Sequence, residues 1–520
     1  MAANSAPKYR CEVVAEFFAA IGCIHGKVSG LQISAQLLET AQCVISRYIF
    51  GMIDIKAFRE NPERFVRGAA EKRMTVDFPR LTALDEQRRS ILTDLEVKRA
   101  EQNRLSKETG PQMGKLKGQL KTAAEADRAK IQAQLADLEA TPVRLKNEVI
   151  VLERLLADVE PAWQELLLTV PQPPAADVPK GAGSDDNIEI RRWNPKGFDT
   201  AIPFAKNRGF KPRTHQDLVR TLGLVDFERG VKMSGTRHYV LTGLGMRLHH
   251  AIIRYALDFM ADQRGFQPMG VPVIVREECM IGTGFFPAGR EQAYHLEESK
   301  RGSNHDLFLT GTGEVGLMGL HADEIIPLES LPLKYVTAST CFRREAGAAG
   351  KDTAGLYRIH QFDKVEQVVV CRADDAESRA WHKTMLESVE MILQSLELPY
   401  RLLQCCTGDL GVKNEDMIDV ESWMPGRGEI GADGSPTGAF GETHSASRLA
   451  DFQCRRLNLR YKDEQGRTTF AYALNNTVVA SPRILIPLLE MHQNADGSVN
   501  IPIPLRCHMG GRERIEPPSS

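Results

Sequence analysis

Charged residues gather around a glycine- and alanine-rich loop in residues 333–370, LKYVTASTCFRREAGAAGKDTAGLYRIHQFDKVEQVVV. Two β-type runs flank the loop, and the charges stand where the strands enter and leave it, at Arg343, Arg344, Glu345, Lys351, Asp352, Arg358, His360, Lys364 and Glu366. Holding this much charge beside buried strands is costly unless a polar ligand binds there. Because Arg343 and Glu345 are two residues apart, they are predicted to face the same side of the sheet.

A second cationic position comes after the strand-like run TTFAYALNNT, residues 468–477. Ser481 and Pro482 are residue types that favour a helix N-cap and the first helical position. Arg483 would then lie at a helix N-terminus, where its guanidinium and the backbone N–H groups favour an anion such as phosphate. Pro487 falls inside the same predicted helix and is expected to bend it.

The elements that must position these groups begin with an amphipathic helix in residues 246–266. Leu248, Ile252, Ala256 and Phe259 recur at helical spacing, and Gly265 stands where a C-terminal cap belongs. The extended run QPMGVPVIV comes next, at 267–275. Pro272 has no backbone N–H to donate to a sheet ladder, so this strand is predicted at a sheet edge or a subunit boundary.

Composition limits the class of protein. At 520 residues the chain is too long for one core, so two or three domains are expected. The net charge of −2 excludes a globally basic nucleic-acid binder but not a local basic patch. Ten scattered cysteines without a CxxC pair predict no disulfide framework and no zinc site, which favours a cytoplasmic location. No uncharged apolar run is long enough to span a membrane.

Heptad spacing indicates a long helical hairpin over residues 80–160. One seam contains Leu84, Ile91, Leu95 and Leu105, and the returning seam contains Ile131, Leu135, Leu138, Leu145, Val149, Leu152, Leu156 and Val159. Gly110, Pro111, Gly114 and Gly118 predict an irregular tip across residues 108–127. Two helices of about 35–40 residues would project about 55 Å. Pro142 is expected to kink the returning helix.

The hairpin carries basic side chains near its predicted tip, namely Arg104, Lys107, Lys115, Lys117, Lys121, Arg128 and Lys130. On the arm alone, a solvated helix face or a dimerisation coil explains them as well as RNA binding does.

Residues 170–186 are rich in proline and glycine and are predicted to be a linker. Residues 1–51 differ in texture from the segment that begins at Met52. They are interpreted either as an upstream reading ahead of a start at Met52 or as a poorly ordered extension.

The segments 246–275, 333–370 and 468–491 resemble motifs 1, 2 and 3 of the class II aminoacyl-tRNA synthetases. FRREAGAAGKDTAGLYRIHQFDKVE is similar to motif 2 of the seryl enzymes of bacterial type. The resemblance runs from Met52 to the C-terminus and includes MIDIKAFRENPERFVRG, DDNIEIRRW and MIGTGFFP. It implies an α+β fold with a tRNA-binding domain at 52–169 and a catalytic domain at 187–520. The catalytic domain would be a mainly antiparallel sheet flanked by helices, dimerised through motif 1.

The same resemblance implies how ATP would be bound. Arg343 would bridge the serine carboxylate and the α-phosphate, Glu345 would read the adenine amino group, and Phe362 would stack beneath the ring. Arg483 would hold the γ-phosphate, and Arg344 belongs to the same site. In ETHS, residues 442–445, Glu442 and Ser445 would bind Mg²⁺ through ATP. Thr443 and His444 lie between these two, and His444, often Ser in relatives, is given no role of its own.

The serine pocket is implied by four short segments. Its residues would be Thr312, Gly313, Glu314, Arg343, Glu366, Asn475 and Thr477. Relatives often carry Ser at position 477. The implied activity is ATP-dependent activation of L-serine and its transfer to tRNA(Ser), with tRNA(Sec) left open as a second acceptor. Two rivals remain open, an amino acid:carrier-protein ligase and an inactive coiled-coil scaffold.

Overall fold

The computed structural model describes residues 53–302, 305–346, 355–432 and 434–518. From Ile53 onward these residues belong to one compact unit. The two interpretations of residues 1–51, and the start proposed at Met52, lie outside the described residues. The domain boundaries at 169 and 187 therefore remain predictions.

The N-terminal part is helical. Its helices are α1 (Ile55–Glu60), α2 (Pro62–Glu71), α3 (Phe78–Thr122) and α4 (Glu125–Thr169). The later helices are α5 (Phe204–Arg208), α6 (His215–Thr221), α7 (Phe227–Ser234), α8 (Gly243–Asp258), α9 (Glu277–Gly282), α10 (Glu314–Gly319), α11 (Asp375–Ser395), α12 (Phe452–Arg456), α13 (Leu485–Met491) and α14 (Ile503–Arg506).

The strands of the first half are β1 (Ile188–Trp193), β2 (Val225–Asp226), β3 (Val240–Leu241), β4 (Gln267–Pro268), β5 (Ile274–Arg276), β6 (Tyr294–Leu296), β7 (Leu307–Leu309), β8 (Ile325–Ile326) and β9 (Leu333–Phe342). The second half contains β10 (Gln361–Cys371), β11 (Tyr400–Gln404), β12 (Asp416–Met424), β13 (Ala439–Arg448), β14 (Arg460–Lys462), β15 (Thr468–Phe470), β16 (Tyr472–Ser481), β17 (Val499–Asn500) and β18 (Arg514–Ile515).

Helices α3 and α4 form the predicted antiparallel arm, with 45 residues each. The seam buries the predicted positions Ile91, Leu95, Leu135, Leu145, Val149 and Val159. Arg88 and Glu160 form an ion pair across it at 2.8 Å. At its base the arm joins a small core that contains Phe58, Phe65, Trp163 and Leu167.

The predicted irregular tip at 108–127 is wrong. Gly110, Pro111, Gly114 and Gly118 all lie inside α3, and the helices are joined at residues 123–124. A glycine costs a helix only about 1 kcal/mol, which a partner helix can offset. The pairing of the two helices extends into this stretch, because Lys117 pairs with Glu139 at 2.8 Å. The arm is therefore about 68 Å long rather than 55 Å.

The second part is built on an eight-stranded sheet in the order β1-β11-β12-β13-β16-β10-β9-β4. Neighbouring strands are antiparallel except for β4 and β9. Helices α8 and α11 pack on one face of the sheet, and Ile252, Val389 and Leu474 belong to the resulting core. This arrangement confirms the predicted α+β architecture and leaves the opposite face of the sheet for a site.

The predicted edge strand is shorter than expected. The run 267–275 divides into β4 and β5, and Pro272 lies between them. Only β4 joins the large sheet, at its edge. A proline between two short strands interrupts no ladder hydrogen bond, which explains the division.

The predicted helix start at Ser481 is also wrong. Strand β16 continues to Ser481, which pairs with Asp363 of β10, and α13 begins only at Leu485. Arg483 therefore lies in the turn between them. Pro487 is the third residue of α13, where backbone N–H groups have no acceptor within the helix, so the helix loses no hydrogen bond there. Pro142 lies within the continuous α4, and its kink remains a prediction.

A buried lysine joins the two parts. The Lys72 amine, at the end of α2, donates to the carbonyl oxygens of Gly411 at 2.8 Å and Asn414 at 2.6 Å. Burial lowers the pKa of Lys72 to about 7. A neutral amine still has two N–H groups, so both hydrogen bonds persist when the proton is lost.

Within the described ranges no helix is long and apolar enough to cross a membrane.

Lys72→Met should change how stability depends on pH. The folded pKa of Lys72, about 7, is below the unfolded value of 10.5. The unfolded chain therefore binds the extra proton between these values, and Lys72 makes the wild type more stable as pH rises, by at most about 1.4 kcal/mol per unit. The advantage of wild type over Lys72→Met in melting temperature should grow from pH 7 to pH 9. The exposed Lys383→Met serves as the control, and parallel pH profiles for wild type and Lys72→Met would contradict the assignment.

Candidate active site

The open face of the large sheet carries a cleft between the loop after β9 and the turn after β16. Two adjoining cavities of about 510 and 1280 Å³ form it. Arg343, Glu345, Glu442 and Arg483 line both of them, so the two spaces are continuous. The smaller cavity is also lined by the predicted residues Phe362, Thr443, His444 and Thr477. The structure thus brings most of the predicted ATP residues together.

Arg343 stands where the two cavities meet. Its backbone is held by His360, which accepts from the Arg343 amide at 2.9 Å through its carbonyl and contacts the Arg343 carbonyl through Nδ1 at 2.9 Å. Its Nε donates to the Gly311 carbonyl at 3.3 Å, and its guanidinium lies 5.4 Å from the Phe362 ring centroid. Among the described residues no carboxylate pairs with Arg343. Its charge is directed at the cleft rather than at a cross-strand acid.

The loop after β9 is fastened by Gln292. The Gln292 side chain donates to the Ala346 carbonyl at 2.7 Å and accepts from the Ala346 amide at 3.1 Å, while its carbonyl accepts from the Arg344 amide at 2.9 Å. Arg344 itself does not line the smaller cavity. Glu345 has a φ of 52° and pairs with Arg358 at 2.8 Å. Because β9 ends at Phe342, the prediction that Arg343 and Glu345 share a face of the sheet is wrong, although both reach the cleft.

Arg483 is held by a tyrosine that the sequence did not indicate. Its guanidinium lies 4.6 Å from the Tyr357 ring centroid, and its Nε donates to the Tyr357 carbonyl at 3.1 Å. Arg427 lies 4.2 Å from the same ring. Glu442 is 3.8 Å from Arg483, an exposed contact that contributes little stability. Arg483, which lines both cavities, makes this end of the cleft suitable for a phosphate chain.

Glu442 and Ser445 lie on the same strand, β13, beside a second acid, Asp419. Ser445 is the direct cross-strand partner of Asp419. Burial, and then the charge of Glu442, raises the pKa of Asp419 to about 8, although a hydrogen bond with Ser445 acts in the opposite direction. Carboxylate and hydroxyl oxygens suit a hard divalent cation, and the 3.8 Å contact of Glu442 with Arg483 leaves its carboxylate half exposed. The predicted pair therefore fits Mg²⁺, with Asp419 as an unpredicted neighbour.

His444 is a packing residue rather than a surface one. It is 1% exposed, and its Nδ1 lies 2.8 Å from the Thr443 hydroxyl. Burial lowers the pKa of His444 to about 3, so the ring is neutral at physiological pH. It contributes shape to the smaller cavity and no charge.

A buried pocket of acids and amides adjoins Arg343. Glu366 is 2% exposed, and the Thr477 hydroxyl lies 3.5 Å from its Oε2. Lys364 also contacts Glu366. Burial raises the pKa of Glu366, an effect that the charge of Lys364 partly offsets. A Cβ on Gly313 would meet the Thr337 side chain at 2.4 Å, so this position requires glycine.

Glu314 is fully engaged by the protein. The Lys413 amine donates to both of its oxygens, at 2.6 and 2.7 Å, and the side-chain amides of Gln453 and Asn475 donate to Oε1. Sequence reasoning missed Lys413 and Gln453, and it named Lys364 only among the charges of residues 333–370, with no role in this pocket. Lys413 is about a hundred residues from its partner and belongs to no local pattern, so nothing in the sequence pointed to it.

The seven basic residues predicted for RNA binding are all exposed on the arm. Arg104 pairs with Glu108 at 3.2 Å on its own helix, and Lys117 pairs with Glu139 across the hairpin. Arg128 donates to the Ala123 carbonyl at 3.3 Å. Exposed ion pairs of this kind contribute little stability, so they can break and allow these side chains to bind phosphates.

Comparison with known proteins agrees with this geometry. Residues 52–173 match the family model of the seryl-tRNA synthetase N-terminal domain, and residues 294–492 match that of the class II tRNA synthetase core domain (G, H, P, S and T). The serine–tRNA ligase of Deinococcus radiodurans is 39% identical over 468 residues, which cover 90% of this chain and 100% of that protein. The one from Thermomicrobium roseum is 38% identical, covering 89% and 95%.

Solved structures give the same result. The seryl-tRNA synthetase of Pyrococcus horikoshii, complexed with ATP, superposes with a TM-score of 0.71 at 34% identity, over 90% of this chain and 100% of that one. The cytoplasmic serine–tRNA ligase of Naegleria fowleri, in complex with AMP, gives 0.72 at 28% identity, over 88% and 96%. The resemblance found in the motifs is thereby confirmed, and the chain belongs to the seryl-tRNA synthetase family of class II aminoacyl-tRNA ligases.

Proposed function

We propose that the protein activates L-serine with ATP to seryl-adenylate and then transfers serine to the 3′ end of tRNA(Ser). The observation that carries the proposal is the position of Arg343, which no described carboxylate neutralises. It lines the same cavity as Arg483, Lys364 and Thr477. The last two side chains both contact Glu366. Wild-type protein should show serine-dependent ATP–pyrophosphate exchange and then charging of tRNA(Ser).

In the first step two anions must approach each other. The serine carboxylate attacks the α-phosphate of ATP and pyrophosphate leaves, so negative charge concentrates between nucleophile and leaving group. Arg343 lies where it can hold both anions, and Arg483 is placed to bind the end of the phosphate chain. Phe362 offers a ring face and Glu345 a carboxylate for adenine. Glu442 and Ser445 would hold Mg²⁺, which supplies further neutralisation of the phosphates.

The acidic pocket suits the other end of serine. An ammonium needs acceptors, and the Glu366 carboxylate and the Asn475 carbonyl oxygen can supply them. The Thr477 and Thr312 hydroxyls remain for the substrate hydroxyl. A pocket that hydrogen-bonds a hydroxyl can reject an analogue without one by about 10⁴-fold. Alanine is therefore excluded by missing hydrogen bonds, whereas threonine is excluded only by its additional methyl group.

The second step brings tRNA to the same site. The arm carries exposed basic side chains far from the cleft, as expected for contacts with RNA phosphates that ignore most bases. A homodimer and a cytoplasmic location belong to the same proposal, and tRNA(Sec) is a second acceptor to test in the charging assay. Exchange without charging of any tRNA would favour the carrier-protein ligase. Absence of both activities would favour the scaffold.

Arg343→Ala should abolish activation. Loss of a cation that stabilises developing charge should lower serine-dependent ATP–pyrophosphate exchange by about 10²- to 10³-fold. Arg467→Ala is the matched control, because the Arg467 side chain is exposed and contacts only Asp463 and Gln465 among the described residues. Exchange by Arg343→Ala at the level of the Arg467→Ala control would refute the assigned role.

Shortening the arm should separate the two steps. The variant replaces residues 102–145, which form the outer part of the arm on both sides of the joint at 123–124, with a short Gly-Ser linker. The Lys98–Glu148 pair, which lies just below the cut, stays intact. The exchange reaction should be unchanged, because the cleft is untouched, while charging of tRNA(Ser) should be lost. Normal charging by the shortened protein would contradict a role for the arm.

A further inference from the structure

We propose that Lys413 is a positioning residue of the amino-acid pocket. By donating to both oxygens of the Glu314 carboxylate, it makes Asn475 donate its amide N–H to Glu314 and present its carbonyl oxygen to the ammonium group of the amino acid. This inference rests on the proposed function and deepens it, because it assigns Glu314 to the protein framework rather than to direct contact with serine.

The geometry leaves Glu314 little capacity for a substrate. Its carboxylate is 3% exposed and already accepts four hydrogen bonds, two from Lys413, one from Gln453 and one from Asn475. Lys413 lies 4.5 Å from the face of the Phe285 ring and is itself largely buried. A carboxylate with four donors is satisfied, and a bound ammonium would need to displace one of them.

The orientation of Asn475 is set by the charge of Glu314. An ionised carboxylate only accepts hydrogen bonds, so it attracts the Asn475 nitrogen and turns the amide oxygen away. A protonated Glu314 could donate to that oxygen instead and would reverse the amide. Lys413 opposes this arrangement, because it donates to both Glu314 oxygens and so occupies each of them as an acceptor. The oxygen of Asn475 then remains available as an acceptor.

Lys413 is fixed from both sides by the N-terminal part of the protein. The Lys72 amine bonds the carbonyls of Gly411 and Asn414, which bracket it. The Gln172 amide donates to the Val412 carbonyl at 2.9 Å, and the Ala175 amide donates to the Glu415 carbonyl at 2.9 Å. The counter-ion of the pocket thus lies on a segment held by the domain that carries the arm.

The test measures serine and ATP separately. Lys413→Met leaves the Glu314 charge buried without its partner, which perturbs the pocket strongly. In ATP–pyrophosphate exchange its KM for serine should rise about 10- to 100-fold, while its KM for ATP should stay near the wild-type value. Lys413→Arg keeps the ion pair and should stay near wild type in both. The exposed Lys383→Met is the matched control.

A double variant distinguishes positioning from simple packing. Glu314→Gln combined with Lys413→Met removes both charges, and the Gln453 and Asn475 donors still favour an oxygen at that place. It should recover most of the lost serine affinity relative to Lys413→Met. This variant also serves if Lys413→Met alone fails to fold. A double variant as impaired as Lys413→Met, or an equal rise in both KM values, would overturn the proposal.

Wild-type protein assayed alongside keeps the two proposals apart. If wild type shows no serine-dependent exchange, the proposed function fails. If wild type is active and Lys413→Met has an unchanged KM for serine, only the role of Lys413 fails.

Discussion

Two carboxylates, Glu314 and Glu366, are buried side by side, and much of the site is arranged to make that possible. An isolated buried carboxylate would take up a proton, because desolvation disfavours its charge. Lys413 and two amides donate to Glu314, so this carboxylate has a largely buried cation beside it and its hydrogen-bonding capacity is filled. Glu366 has Lys364 beside it, yet burial still raises its pKa. The remaining deficit of positive charge at Glu366 is what an ammonium group would supply.

The register of the antiparallel sheet decides which groups meet at this point. Glu366 of β10 lies opposite Thr337 of β9 and Thr477 of β16, so a hydroxyl stands on each side of it. Asn475 is two residues before Thr477 and therefore shares its face. A slip of one residue between β10 and β16 would turn these side chains into the apolar core against α11. The grouping of these polar side chains at one place is in this sense a property of strand pairing.

Sequence reasoning succeeded where chemistry is carried by short segments and failed where it depends on distant ones. Arg343, Glu345 and Phe362 could be found because the charge pattern and the motif are local. Lys413 could not be found, because its role depends on contact with Glu314, and only the tertiary fold brings the two residues together. The glycines and the proline at 110–118 predict a tip there, but pairing with the partner helix keeps this stretch helical. Arg483 was placed on a helix because Ser-Pro suits a helix start as well as a turn after a strand.

The arm and the cleft are joined by more than covalent continuity. Most ion pairs along the arm are exposed and worth little individually, so its stability depends on the apolar seam and on the core at its base. That base is fixed to the segment 411–415 by Lys72 and by backbone hydrogen bonds from residues 172 and 175. The same segment supplies the cation that satisfies Glu314. A force on the arm would therefore reach the amino-acid pocket through a few hydrogen bonds to rigid backbone, without requiring any movement of the sheet.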